Sequence, residues 1–257
     1  MIHSIIKDRP TKLFIILAGF FIANALIAEV IGVKIFSLEQ SLGFKPVSFK
    51  LFGRDGLSFS LTAGVLLWPV VFVMTDIINE YYGMKGVRFL SYLAIVLISF
   101  AFLAFFGAIK LPPDQWWLTS SKRVENMQSA YFTILGQSSW IIIASLVAFG
   151  VGQLVDVLVF HRIKKATGEG KIWLRATGST LISQLVDSYI VLFIAFYIGG
   201  TWSWQQVLAI GMMNYIYKFV VAIILTPVIY LIHARIEKYL GHDTAAAMKR
   251  QAMSSRE

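Results

Sequence analysis

The chain has no cysteine among its 257 residues. Disulfide frameworks, thiolate metal sites and cysteine nucleophiles are thereby excluded, while the redox compartment stays open. Charge is scarce too: Asp, Glu, Lys and Arg make up 14%, against 57% hydrophobic residues. A soluble domain carries about a quarter charged residues, so a water-facing shell cannot be built from this composition. Catalytic motifs are also missing. There is no His-Glu-x-x-His, no nucleophile-elbow serine and no phosphate-binding loop, which leaves no basis for an enzyme or a self-contained ATP-driven pump. No catalytic residue, metal site or cofactor is expected. The histidines (His3, His161, His233 and His242) fall at predicted helix ends or tails, where a wetted imidazole is the ordinary reading.

What the chain does have is long apolar runs, with a mean hydropathy of +0.71. About 20 apolar residues span a bilayer as helix, so this length allows six passes with short loops and no separate soluble domain. The fold class expected is an all-α membrane protein, a six-transmembrane-helix bundle. Its helices are predicted at about residues 12–34, 58–82, 87–109, 131–160, 174–198 and 204–236. Residues 1–240 read as one membrane domain and 241–257 as a polar, frayed cytoplasmic tail. The first apolar run, from Leu13, lacks a small-residue cleavage site and is read as a span rather than a signal peptide. Strand-like alternation occurs once, from Val47 to Phe59, and Arg54-Asp-Gly56 suggests the turn of a small external hairpin between helices 1 and 2. The Lys110–Ala130 linker, with Trp116 and Trp117, reads as an interfacial loop.

The net charge of +9 could suggest nucleic acid, but the basic residues gather in short loops and tails, as topology signals do. Fifteen Lys and Arg fall on one side of the predicted spans and seven on the other, with Lys218 inside the last. The positive-inside rule then puts both termini in the cytoplasm, in an inner-membrane setting with the lipid bilayer as partner and no nucleic acid. A homo-oligomer is neither required nor excluded.

Ionisable residues nevertheless lie within the apolar runs: Asp76 and Glu80 in the second, Asp187 in the fifth and Lys218 in the sixth. A charge at mid-bilayer costs about 2.5–3.5 kcal/mol on insertion scales, so both signs at depth point to a polar site inside the bundle. The plainer alternative is an ion pair that only holds helices together. At about 1.5 Å per residue, Asn24, Asp187 and Lys218 fall near the middles of helices 1, 5 and 6, and Asp76 lies about 12 Å toward the cytoplasm in helix 2. Asp187 and Lys218, equal in depth and opposite in charge, are expected to meet directly or through substrate. Asp76, Asn79 and Glu80 share a helix face, as do Gln184 and Asp187, while Asn214 and Lys218 are an i,i+4 pair. Trp68-Pro69 is read as a mid-helix kink facing a cavity, with Thr226-Pro227 a second. Glu29 and Lys34 read as snorkelling residues, and Asp156 as facing a loop. The tetrapeptide Gln153-Leu-Val-Asp156 recurs as Gln184-Leu-Val-Asp187 on the next, oppositely directed helix, an echo of the inverted repeats of transporters.

Three strings carry a resemblance: Thr75-Asp-Ile-Ile-Asn-Glu-Tyr-Tyr-Gly83; Trp173-Leu-Arg-Ala-Thr-Gly-Ser-Thr-Leu-Ile-Ser-Gln-Leu-Val-Asp187; and Asn214-Tyr-Ile-Tyr-Lys218 with Thr226-Pro-Val-Ile-Tyr230. Together they resemble the queuosine precursor transporter family (YhhQ type, also called the vitamin uptake transporter family), from about Asn24 to Tyr230. The family's Pro-x-x-x-x-x-Thr-Asp is kept as Pro69 to Asp76. Its Ser-Gln-x-x-Asp-Thr has Ser188 in place of threonine, which retains a hydroxyl. The resemblance implies a standalone importer of 7-deazaguanine bases: 7-cyano-7-deazaguanine, its aminomethyl counterpart or queuine. It implies a fold like the substrate-binding component of energy-coupling-factor transporters. It also implies functional roles for Asp76, Glu80, Arg175, Gln184, Asp187, Asn214 and Lys218.

The residue chemistry agrees with such a cargo. A deazaguanine edge presents a ring N–H and an exocyclic amine, which one carboxylate can accept together, beside a carbonyl suited to an amide or ammonium. Aromatic side chains such as Trp68 can stack on the ring. Substrate-binding candidates are therefore Asp76, Glu80, Gln184, Asp187, Asn214, Lys218, Asn24, Trp68 and Arg175, with base recognition assigned first to Asp76 and Glu80. Two other readings stand beside this one: a substrate-binding subunit that needs separate ATPase and scaffold partners, and a membrane enzyme or channel, which the missing motifs disfavour.

Overall fold

The computed structural model describes residues 7–168 and 171–254; His3, and Arg256 among the fifteen basic residues counted on one side of the spans, lie outside them. Helix α1 (Arg9–Ile31) starts where Asp8 accepts the Thr11 N–H at 3.0 Å, with Pro10 in the first turn, where a missing N–H costs nothing. Next come β1 (Ile35–Ser37), the short α2 (Leu38–Ser41), β2 (Phe49–Leu51), β3 (Arg54–Leu57) and β4 (Ser60–Thr62). β1 pairs antiparallel with β4, and β2 with β3. The expected hairpin is present, but its turn is Phe52-Gly53, with φ of 49° and 78°, and not Arg54-Asp-Gly56, which lies within β3. Two successive positive φ angles match the right-handed twist of a two-residue hairpin, so the turn forms one step earlier than read.

A 3₁₀ turn (Ala63–Leu66) leads into α3 (Trp68–Ile109). Residues predicted as the first third of a membrane helix are thus strand and turn. Pro69 falls in the first turn of α3, so the expected mid-helix kink is a helix start. The real break is Gly83 (φ 70°, ψ −175°), a conformation open to glycine alone. Its consequence is large. A straight helix would hold Thr75 and Ser91 about 24 Å apart, yet both hydroxyls donate to Gln153 Oε1, at 3.0 and 3.4 Å. The two halves of α3 therefore fold back on each other at Gly83.

Short helices α4 (Gln115–Leu118) and α5 (Met127–Leu135) follow, then α6 (Ser139–Thr167) and α7 (Ile172–Leu192), which runs on through a π-helical segment (Phe193–Ile198). The last long helix, α8 (Trp204–Leu240), opens with a Ser203–Gln206 capping box and contains Pro227, which supplies no N–H to the turn before it. Residues 242–254 are not frayed but form α9 (His242–Ser254). Ala245, Met248 and Ala252 face the core, and Lys249 pairs with Glu237 while lying 5.5 Å from the Tyr81 ring centroid.

The described residues thus form a helical protein with five helices long and apolar enough to cross a membrane: Arg9–Ile31, Trp68–Ile109, Met127–Thr167, Ile172–Ile198 and Trp204–Leu240. Large apolar side chains such as Phe20, Phe100, Leu103 and Ile224 point outward, as lipid-facing residues must. Inside, α7 and α8 approach so closely that a Cβ on Gly211 would stand 2.6 Å from the Tyr189 ring. That approach brings the polar faces of both helices together.

Candidate functional site

Two polar centres form where α3, α6, α7 and α8 meet. The first is built around Glu80, whose side chain is fully buried. Arg175 donates to it through both Nη2 (2.8 Å) and Nε (3.0 Å), and Lys164 Nζ lies 3.0 Å from Oε2. Such a two-pronged guanidinium contact is among the strongest side-chain pairings. Lys164 also donates to the Glu80 carbonyl at 3.1 Å, and Arg175 donates to the Gly168 carbonyl at 3.2 Å. Glu80 and Arg175 thus meet each other, and neither lines the cavity described next. Lys164 was hidden in the sequence by the basic run around it, which read as a topology signal.

The second centre is a narrow cavity of about 460 Å³, open mouth included, between the first half of α3, α7 and α8. From α3 come Trp68, Pro69, Phe72, Val73 and Asp76; from α7, Thr177, Thr180 and Gln184; from α8, Lys218 and apolar residues one, two and three turns beyond it. Each set follows helical spacing: Thr177, Thr180 and Gln184 are i, i+3 and i+7. Asp76 is 1% exposed; Thr180 Oγ1 donates weakly to its Oδ2 at 3.4 Å, and Oδ1 has no hydrogen-bond partner among the described residues. Gln184 Nε2 is likewise unpartnered. Thr177 and Thr226 bring their hydroxyls to 2.9 Å across α7 and α8. Buried polar atoms are ordinarily satisfied, so an unpartnered acceptor and an unpartnered donor on two residues that line one cavity amount to unused binding capacity.

Lys218 donates to Asp187 Oδ2 at 2.5 Å, the direct pairing expected from their shared depth. Asp187 therefore stands behind Lys218 and not on the cavity wall. Asn214, one turn before Lys218, is off the wall as well. Asn24 donates to the Phe20 carbonyl of its own helix at 2.8 Å.

Several groups expected at wet ends are buried. Asp156 is 0% exposed and accepts from Ser183 Oγ at 3.1 Å. Glu29, far from snorkelling, is buried and bonded to Ser145 Oγ. His233 packs on Tyr81, whose hydroxyl lies 3.0 Å from Nδ1, and His161 is buried too. In each case depth was readable from the sequence, but the direction in which the helix turned the residue was not.

Membrane-length helices around a buried, mainly apolar cavity with a few unpaired polar groups define a polytopic membrane protein with an interior solute site. Comparison with known proteins narrows the class. Residues 62–232 match the family described as "Putative vitamin uptake transporter". Similar proteins include the "Probable queuosine precursor transporter" of Bacillus subtilis (strain 168), 31% identical over 67% of this chain and 72% of that protein. The protein of the same name in Haemophilus influenzae is 26% identical over 86% of each chain. The "Queuosine precursor transporter" of Escherichia coli (strain K12) is 25% identical over 65% of this chain and 70% of that one. No solved structure matches the chain. The chain belongs to the vitamin uptake transporter family, of the queuosine precursor transporter type. It is a multi-pass membrane transporter and not an enzyme.

Proposed function

We propose that the protein imports 7-deazaguanine queuosine precursors (7-cyano-7-deazaguanine, 7-aminomethyl-7-deazaguanine or queuine) across the cytoplasmic membrane as a standalone secondary transporter. The observation that carries this reading is the Asp76 carboxylate, buried in the cavity with one oxygen free. A guanine-like edge offers two adjacent N–H donors to that carboxylate. The unpartnered Gln184 amide can donate to the ring carbonyl, and Trp68 and Phe72 supply flat apolar walls. The names of the three relatives support the same cargo.

The fold-back at Gly83 supports six passes, counting the halves of α3 separately. With the basic residues distributed as they are, both termini lie in the cytoplasm. Reporter fusions that put the Gly199–Ser203 loop in the cytoplasm would overturn this topology.

Uptake of labelled 7-cyano-7-deazaguanine by the purified chain in liposomes, without nucleotide, tests the function. Uptake that appears only with added ATPase and scaffold proteins would make the chain a binding subunit of an ATP-driven importer instead.

A further inference from the structure

Behind the cavity wall lies a second carboxylate that base recognition does not use. Asp156 on α6 is fully buried, with Ser183 donating to Oδ1 and the hydroxyls of Ser179 and Thr180 beside it. Thr180 also reaches Asp76, so one hydroxyl stands between two aspartates. Asp76 Oδ1 and Asp156 Oδ2 have no hydrogen-bond partner among the described residues, and Gln153 Nε2 and both polar atoms of the Asn79 amide nearby have none either. These are buried side chains: Asn79 and Gln153 are each 2% exposed.

No described cation comes within ion-pair distance of either aspartate. The charged groups that act on Asp76 besides Asp156 are Glu80 on its own helix and Arg175 on α7. Glu80 is held by Arg175 and by Lys164 of α6. Lys218 of α8, across the cavity, is held by Asp187 of α7. On α1, Glu29 bonds to Ser145.

Counting donors makes the deficit plain. The Ser183 hydroxyl has the Thr180 carbonyl as a competing acceptor at 3.1 Å, and Ser179 has the Ala176 carbonyl at 3.2 Å. Four carboxylate oxygens therefore depend on a few shared hydroxyl protons. Two buried carboxylates that lean on neighbouring hydroxyls of one helix, with no cation paired to either, are costly to keep both ionised, and a single proton taken up by the pair relieves that cost. A proton is the one ligand that converts an acceptor here into a donor without needing further space.

We propose that Asp76 and Asp156 form a shared proton-binding site that couples movement of the base to movement of a proton. This rests on the transport reading above. The base needs Asp76 as an acceptor, so the proton then resides on Asp156, and both cargoes occupy the protein and cross together. Only an O–H bond is made on loading and broken on release.

The test uses the purified full chain in liposomes containing a pH-sensitive dye. Adding 7-cyano-7-deazaguanine outside should acidify the interior, and an inward proton gradient should drive accumulation above the outside concentration. Asp156→Asn, whose amide imitates a protonated carboxyl, should keep base binding but lose both the acidification and the uphill accumulation. Accumulation driven by sodium, uptake without proton entry, or unchanged proton entry in Asp156→Asn would overturn the proposal.

If the wild type moves no base at all, the transport reading fails, and the proton site is judged separately by infrared spectroscopy. Wild-type minus Asp156→Asn difference spectra at neutral pH should contain the C=O band of a protonated carboxyl. If that variant does not fold, Asp76→Asn should shift the same band. The absence of a protonated-carboxyl band overturns the proposal.

Discussion

Replacing Glu80 by glutamine separates a residue that holds the bundle together from one that reads a substrate. The substitution keeps shape and one acceptor oxygen, but puts an NH₂ donor against cations. In the native structure Glu80 is fully buried and faces three cationic N–H groups, at 2.8, 3.0 and 3.0 Å. Removing one partner of a buried pair costs about 3–5 kcal/mol, because the remaining charge is left desolvated and unpaired. Here Arg175 and Lys164 both lose the Glu80 charge, so the cost should lie within that range. Thermal or denaturant unfolding of the purified protein, followed by tryptophan fluorescence, reads it directly. Affinity for 7-cyano-7-deazaguanine in the fraction that still folds should change little, since Glu80 does not line the cavity. A Glu80→Gln protein that unfolds like its parent but has lost the base would refute this assignment and return Glu80 to the recognition site.

Two further outcomes follow from the same geometry. Lys218→Met should destabilise the protein by less than Glu80→Gln, about 1–3 kcal/mol, because the Asp187–Lys218 side chains are 19% and 12% exposed and partly hydrated. Adding Asp187→Asn should restore most of the stability but not transport; unfolding midpoints and uptake of the single and double variants check both. Gly83→Ala forces a side chain into φ 70°, ψ −175°, and should cost about 1–3 kcal/mol and loosen the α3 fold-back. Faster amide exchange around Thr75 and Ser91 would report it, and unaltered exchange and stability would show that the reversal does not depend on this glycine.

Depth along the chain was legible; rotation about each helix was not. Asp187 and Lys218 could be paired because both are central and opposite in sign, and they do meet. Asp76, Gln184 and Trp68 were singled out by polarity or aromaticity at depth, and all three line the cavity. Glu80 and Asp76 are four residues apart and read as one face, yet one meets Arg175 while the other meets the cavity. That split depends on which neighbour packs on each side of α3, a tertiary fact absent from local spacing. Thr177 could have been found from its i, i+3, i+7 spacing with Thr180 and Gln184.

Other misreadings have equally local causes. The hydrophobic run from Ser58 gave no sign that Ser60–Thr62 would pair with β1 and push the helix start to Trp68. Composition hid α9, whose few apolar residues make up a narrow face. Ala245, Met248 and Ala252, at helical spacing in that tail, were the signal for it. Residues 83–86 read as the connection between two spans, and the backbone shows that Gly83 makes that turn.

Asp76 as reader of the base is the central claim, and ligand affinity of Asp76→Asn tests it most directly. The substitution is nearly isosteric and turns an acceptor into a donor facing two donors, which should weaken binding by about 2 kcal/mol or more, roughly 30-fold. Equilibrium binding of labelled 7-cyano-7-deazaguanine to purified wild type and Asp76→Asn, with matched unfolding curves to establish that both are folded, makes the measurement. The account predicts that at least that loss of affinity occurs with the fold intact; an Asp76→Asn protein that binds the base as tightly as the wild type would contradict it.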